Sequence, residues 1–346
     1  MADGQTDIAG TAPAGRAPSA HLTWKTVLVW IVGSAAFALF LSRSGVYAAL
    51  PLLRRLTPET VAAVLLLSAA VPVLKLLRWH ELLAACGVHV ARRKLLIPVS
   101  AGFFWGLVTP GTSGEVSRGF LLGIARRVSV ATVIYEKVYD SLALVGMAVG
   151  ALVARLLYAR TGSHALEWCA ALATVGGFLA APCIVARRTP LRRDGTSDEG
   201  TPVPGLRGRL DRLIAATGGL ARSPRITLVS SATSCTMWLL TGAQFVLLVR
   251  VLGAPAFPWT GMGLGFFVPY IAGIVSLVPL GLGVLELTVS TLLAHYYSVG
   301  APTAHATALA FRIVVTLPFV LWGFACYSFQ ALQARRRRTT GEPRSR

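Results

Sequence analysis

Apolar residues run along this chain in blocks of about twenty, separated by short polar loops. A bilayer core about 30 Å thick takes about 20 apolar residues as helix. Six stretches meet that length: Trp24 to Leu41, Thr60 to Leu77, Ala131 to Leu157, Leu166 to Ala186, Ile226 to Leu252 and Ala304 to Phe329. Two further apolar regions are interrupted. Leu95 to Leu122 contains Pro98, Pro110, Gly111 and Gly114, and Gly261 to Tyr297 contains Pro269, Gly273, Pro279, Gly281 and Gly283. Each reads as two short spans or as a re-entrant pair of half-helices, since non-helical backbone at that depth must lie against protein or line a watery cavity. The pattern predicts an all-α integral membrane bundle of about six to eight transmembrane helices, two of its segments broken by Pro and Gly.

Composition agrees with the pattern. Of 346 residues, 54% are hydrophobic and 14% charged, against about a quarter charged in a soluble domain. The net charge of +19 could suit nucleic acid, but the bases sit in loops and in the tail, the arrangement of positive-inside topology, and no nucleic-acid partner is expected. The segment from Arg187 to Arg225 holds nine Arg against four acids, and Arg335 to Arg338 follow the last span. Both read as cytoplasmic, as do the loops carrying Arg92, Arg93 and Lys94 and carrying Arg126 and Arg127. The uncharged loop from Gly253 to Thr260 reads as external. Arg43, Arg54 and Arg55 also fall outside in this topology, against the rule.

The expected organisation follows. Residues 1–23 read as a disordered cytoplasmic tail, 24–330 as a single membrane domain with a basic cytoplasmic loop at 187–225, and 331–346 as a basic cytoplasmic tail. Both termini are then cytoplasmic and the protein sits, multi-pass, in the cell membrane. Trp24 to Leu41 is long enough to be a retained helix rather than a cleaved signal peptide. Within the basic loop, Leu206, Leu210, Leu213, Ile214 and Leu220 recur at helical spacing, which fits an interfacial helix or a solvated amphipathic linker. The five cysteines are scattered, without metal or redox spacing. No cofactor is expected.

The two broken regions resemble one another. Gly102-Phe103-Phe104, Pro110 and Gly114-Glu115 in the first match Gly265-Phe266-Phe267, Pro279, Gly281, Gly283 and Glu286 in the second. Ala131-Thr132 then precedes Lys137 at the spacing by which Ala306-Thr307 precedes Arg312. The first region is flanked by basic loops and the second by neutral ones, so the copies would enter from opposite faces. Paired interruptions in two inverted halves mark the substrate site in many secondary transporters.

Charges inside apolar runs are the candidate chemistry. Glu286 is the sole Asp, Glu, Lys or Arg between Arg250 and Arg312. A charge at mid-helix costs about 3 kcal/mol on the insertion scale. Glu136, Lys137 and Asp140 share one side of a helix, with Lys137 placed to pair with Asp140, and Glu115 and Arg118 are likewise i, i+3. These residues are either substrate groups or structural ion pairs; for Glu136 and Lys137, a position at headgroup depth also fits. His80, His295 and His305 read as interfacial or hydrogen-bonded. Gly102-x-x-x-Gly106 and Gly146-x-x-x-Gly150 allow close helix packing. The chain lacks GxxxxGK[ST], HExxH, GxSxG and DDxxD motifs, which argues against ATP drive and against a catalytic domain.

Pro110 through Gly114-Glu115 to Arg118, Glu136-Lys137 to Asp140, Pro279-x-Gly281-x-Gly283-x-x-Glu286 and Arg312 resemble the transmembrane region of lysylphosphatidylglycerol synthases, from about Trp24 to Phe329. Lys137 stands where that pattern has Arg, which removes a bidentate fork, and Leu280 stands where a small polar residue is frequent. The resemblance implies lipid translocation between leaflets, with aminoacylated phosphatidylglycerol or polyprenyl-linked glycans as substrate types. The soluble aminoacyl-transfer domain of the synthases has no counterpart here, so enzyme activity is not expected. The combined expectation is a flippase-like transporter. Glu115 and Glu286 would bind a cationic headgroup or a proton, while Arg118, Lys137 and Arg312 would hold lipid phosphate, with anionic, aminoacylated or polyprenyl-linked lipids as partners. The alternative is a non-transporting scaffold or accessory subunit of an envelope-biosynthesis enzyme.

Overall fold

The computed structural model describes residues 24–43, 46–109, 114–188, 220 and 223–340. Pro110 and Gly111, the N-terminal tail and the segment proposed as an interfacial helix lie outside the described residues, apart from Leu220. Helices make up almost all of the described chain and no strand occurs in it. In order they are α1 (Trp24–Arg43), α2 (Val46–Leu53), α3 (Pro58–Ala85), α4 (Leu96–Val108), α5 (Ser117–Leu121), α6 (Arg126–Thr161), α7 (His164–Arg188), α8 (Pro224–Leu252), α9 (Val268–Val275), α10 (Val284–Tyr297), α11 (Ala301–Ala310) and α12 (Leu317–Thr340). Two π-helical segments interrupt the series. Gly263–Phe267 leads into α9, and Phe311–Thr316 joins α11 to α12.

Local sequence sets the helix starts. Thr57 caps α3, its hydroxyl accepting from the Thr60 amide, with Pro58 next in line. Ser223 caps α8 in the same way, accepting from the Ile226 amide, with Pro224 next. A hydroxyl cap followed by Pro at the first helical position satisfies one orphan N–H and removes another. Gly162, at φ 65°, ends α6 by a left-handed turn.

Four of these elements are long and apolar enough to cross a bilayer: α3, α6, α8 and the run Ala301–Gln333; α1 and α2 make a fifth if taken as one bent span. The chain is an all-helical membrane protein. The six to eight spans expected from sequence are reached only by adding α7 and the broken regions. The last helix also runs on through Arg335–Arg338 to Thr340, so the basic segment that reads as a tail begins as helix.

The side chains are sorted inside out for water and correctly for lipid. Along α6, Val138, Leu142, Val145, Val149, Leu152 and Leu156 are all exposed, while Glu136 is fully buried. An apolar stripe turned outward and a carboxylate turned inward is stable only where the surroundings are hydrocarbon. The main core gathers around Phe245, Phe266 and Phe311, whose rings meet at 5.2–6.2 Å.

Both broken regions are helix hairpins. α4 packs on α5, and α9 packs on α10. The Gly114 amide, just past the first break, donates to Thr109 Oγ1, just before it, at 2.8 Å. In the second, Leu277, Leu280, Gly281 and Gly283 all have positive φ. α4 also touches the turn Pro279–Gly281, so the first hairpin reaches the second break.

Arg55, which the expected topology puts outside, has a local partner. Its guanidinium donates to the Leu252 carbonyl at 3.4 Å. It thus meets the free carbonyls and negative dipole end of α8, beside the uncharged loop after Leu252.

Candidate functional site

A cavity of about 330 Å³ lies between the two hairpins. α3 contributes Lys75, α4 Gly106, and the residues flanking the first break Thr109 and Glu115. α6 adds Lys137, Asp140 and Ser141, and α8 adds Trp238 and Thr241. The second hairpin supplies Tyr270, Leu280 and Gly281, and the second π segment Arg312.

Seven charged side chains form one network on its α3–α6 side. Lys75 and Lys137 both donate to Glu115 Oε1, at 2.9 and 2.7 Å. Arg78 grips Asp140 with both terminal nitrogens, at 2.7 and 3.2 Å, and lies 3.4 Å from Glu136. Arg118 pairs with the other oxygen of Glu136 and stacks over the Trp79 ring at 4.3 Å. Ser234 donates to Asp140 Oδ1 at 2.7 Å, and the Trp238 indole donates to the Asp140 carbonyl at 2.9 Å. Arg78, Glu136, Arg118, Glu115 and Lys75 are all buried, while the Lys137 side chain keeps 30% of its exposure.

A smaller network faces it. Arg312 pairs with Glu286 through Nε and donates to the Gly281 carbonyl at 3.3 Å. The other oxygen of Glu286 accepts from the Gly283 amide at 2.7 Å, capping α10. A carboxylate at the N-terminus of a helix is stabilised by the dipole and the free amides. Tyr270 lines the cavity together with Lys137, Asp140 and Arg312 of the two networks.

Small residues make room for this. Gly106 of α4 backs directly onto Glu115, where an added Cβ would stand 3.0 Å from Oε1, and Gly102 backs onto Arg118. The Gly102-x-x-x-Gly106 spacing thus seats the charged side chains of the hairpin's return limb. Gly150 of the other spacing packs against Thr174 on α7.

Of the residues singled out from sequence, the structure brings Glu115, Arg118, Glu136, Lys137, Asp140, Glu286, Arg312, Gly114, Pro279, Gly281 and Gly283 to this region. Two local pairings differ from expectation. Asp140 takes Arg78 in place of Lys137, and Arg118 takes Glu136 in place of Glu115. Helical spacing makes a pair possible, but the longer Arg side chains from neighbouring elements reach these carboxylates instead, Arg78 with two donors on Asp140 and Arg118 with one on Glu136. Lys75 and Arg78 escaped the sequence reading because they stand where the first apolar run of α3 ends, and a base there reads as an interfacial residue. Their i, i+3 spacing on an otherwise apolar helix was the available signal. Tyr270 gave none. Of the histidines, His80 lies 3.9 Å from Glu81 and His305 packs edge-on against Phe40. Cys86, Cys169, Cys235 and Cys326 are free thiols, and no cluster with metal-ligand geometry occurs among the described residues.

The family described as the lysylphosphatidylglycerol synthase TM region matches residues 26–323. The chain belongs to this family. The match spans every element that lines the cavity, and it begins and ends within α1 and α12. A comparison with curated proteins finds no match. Membership in the synthase TM family ties the chain to membrane lipid modification or flipping, and fits its apolar outer surface and multi-pass helices.

Proposed function

We propose that this protein moves a lipid, or a lipid-linked headgroup, between leaflets through the cavity between the two hairpins, and that it does so as a transporter rather than an enzyme. The observation that carries this reading is a half-open cavity inside an apolar bundle, lined by ionised side chains. Charge at that depth is costly unless something polar needs it, and a headgroup crossing hydrocarbon needs such a lining.

The reading includes an inverted repeat of α3–α6 and α8–α12. Four correspondences support it. Thr57-Pro58 and Ser223-Pro224 open α3 and α8 alike. Glu115 after the first break pairs with Lys137, and Glu286 after the second pairs with Arg312. The first hairpin packs on α12 and the second, through its π segment, on α6, each hairpin on the long helix of the opposite half. α3 and α8, the leading helices, pack on each other. Two copies related by a two-fold axis in the membrane plane would pack this way. With basic loops inside, both termini are cytoplasmic and the membrane is the cell membrane.

The test is lipid translocation in proteoliposomes, with labelled anionic, aminoacylated and polyprenyl-phosphate lipids. Wild-type protein is expected to move at least one class, and Glu286→Gln to slow it at least tenfold while remaining monodisperse. Failure of folded wild-type protein to move any lipid, with and without a proton gradient, would favour a scaffold or accessory subunit of an envelope enzyme.

A further inference from the structure

The second hairpin is tied at both of its ends, away from its break, to the corner where α6 turns into α7. The first tie is a carboxylate. Glu167, in the first turn of α7, has a side chain only 5% exposed. Its Oε1 accepts from the Thr260 hydroxyl at 2.6 Å, and Thr260 stands in the turn Trp259–Gly261 that leads into the hairpin. Its Oε2 lies 3.2 Å from His164 Nδ1. The second tie is a run of rings. Tyr297, the last residue of α10, lies 5.7 Å from the Arg155 guanidinium, which also stands over the Tyr158 ring at 5.2 Å. Tyr158 in turn meets the His164 ring at 4.6 Å. His164 is the residue common to both ties. None of these residues lines the cavity.

The two partners of the first tie are unlike in one respect. Glu167 is buried, whereas the His164 side chain is 69% exposed. Among the described residues, His164 is the one ion-pair partner of Glu167. An imidazole changes charge between about pH 5 and 8, and this one reaches water. The other charges on the elements packed here are Arg155 and Arg160 of α6 and Arg250 of α8, while the turn Trp259–Gly261 brings none. Arginine stays charged across that range. Arg250 is held by the Phe257 carbonyl at 2.7 Å and the Trp259 ring at 4.8 Å. On α10, the His295 ring meets Tyr296 and stands outside both ties.

We infer that His164 and Glu167 form a pH-sensitive latch on the second hairpin. Once protonated, His164 turns its contact with Glu167 into a charge-assisted one, and the corner grips the approach to the hairpin through Thr260. With the ring neutral the grip loosens, and the segment from Trp259 to Phe267 opens more often. Arg155, a like charge on the same Tyr158 ring, works against protonation and keeps the latch from locking. The inference rests on the transport reading only for its consequence. A tighter latch slows the hairpin that carries Glu286, so acid at this face is a brake on translocation.

The experiment is amide hydrogen exchange of the purified full-length protein in phosphatidylcholine nanodiscs, read across Trp259–Phe267. Wild type and variants are compared at one pH at a time, so that the pH dependence of the exchange chemistry cancels. At pH 5.5 the wild type is expected to exchange about threefold more slowly than His164→Gln, the scale of one exposed ion pair, and at pH 8 at the same rate. His164→Lys, charged throughout, should be slow at both. Glu167→Gln should be fast at both. Wild type and His164→Gln alike at pH 5.5 would overturn the latch. A pH response retained in His164→Gln would assign it to another group, and an equal response in the amides of α3 would make it global; either overturns the assignment to His164. In proteoliposomes, wild-type translocation of labelled lipid is expected to be slower at pH 5.5 than at pH 8, with His164→Gln showing less of that difference. Equal translocation at both by a wild type whose latch responds would remove the brake. A responding latch in a protein that moves no lipid would count against the transport reading alone.

Discussion

Arg118 and Glu136 show what a buried charge asks of its neighbours. Both side chains are within 1% of complete burial. Removing one partner strands the other, at a cost of about 3–5 kcal/mol, whereas removing both leaves no orphan. Glu136→Gln and Arg118→Met are therefore each expected to destabilise by that amount, and the double variant by clearly less than their sum, in denaturant unfolding of the detergent-solubilised protein. Additive losses would show that the pair does not couple. Leu280 is a second residue with a specific expectation. It holds φ 60° at the tip of the second hairpin, a conformation that costs an L-residue about 1–2 kcal/mol. Leu280→Gly is expected to raise the unfolding midpoint or leave it unchanged, and Leu280→Ile to lower it, because a β-branched side chain tolerates that φ least.

Among elements, the two hairpins work because glycine lets side chain and backbone approach. Gly281 at φ 60° and Gly283 at φ 80° turn the chain from α9 into α10. Gly106 leaves space for Glu115, and Gly263 of the first π segment lies against Ala151 of α6. Gly106→Val is expected to displace Glu115 from Lys75 and Lys137, lowering stability by about 1–3 kcal/mol through overpacking. Gly177→Ala, in α7 with nothing within 4 Å of the added carbon, is expected to gain up to about 1 kcal/mol from helix propensity. Thermal unfolding of the pair in one detergent tests this, and equal effects would show that close packing at Gly106 does not matter. The π-helical segments belong to the same design. Phe311–Thr316 contains Arg312, and Gly263–Phe267 contains Phe266, which packs against Phe311. A π turn adds a residue and re-aims the side chain that follows, and here that side chain reaches Glu286.

For the whole molecule, the two halves meet so that each hairpin leans on the long helix of the other. If they are inverted copies, Arg93→Cys before the first hairpin and Gly300→Cys after the second lie on opposite faces of the membrane. A membrane-impermeant thiol reagent applied to oriented vesicles, in a background lacking the native cysteines, is expected to label one and spare the other. Labelling of both from one side would remove the inverted repeat.

Several features of this protein are written in its sequence. Apolar block length fixes the helical membrane class, because hydrocarbon leaves the backbone no partner but itself. Pro and Gly fix where the apolar regions break, because they remove a donor or permit positive φ. The charges inside apolar runs, Glu115, Glu136 and Glu286 among them, announce the site, because hydrocarbon penalises them wherever they are not used. Which charge meets which was decided only by the tertiary structure. Lys137 leaves Asp140 for Glu115, Arg78 comes from a helix 62 residues away to take its place, and Tyr270 arrives from the second hairpin. Ion-pair partners depend on where helices cross and how far each side chain reaches. Those distances are set by the packing of elements remote in the chain, and they leave no local periodicity to be read.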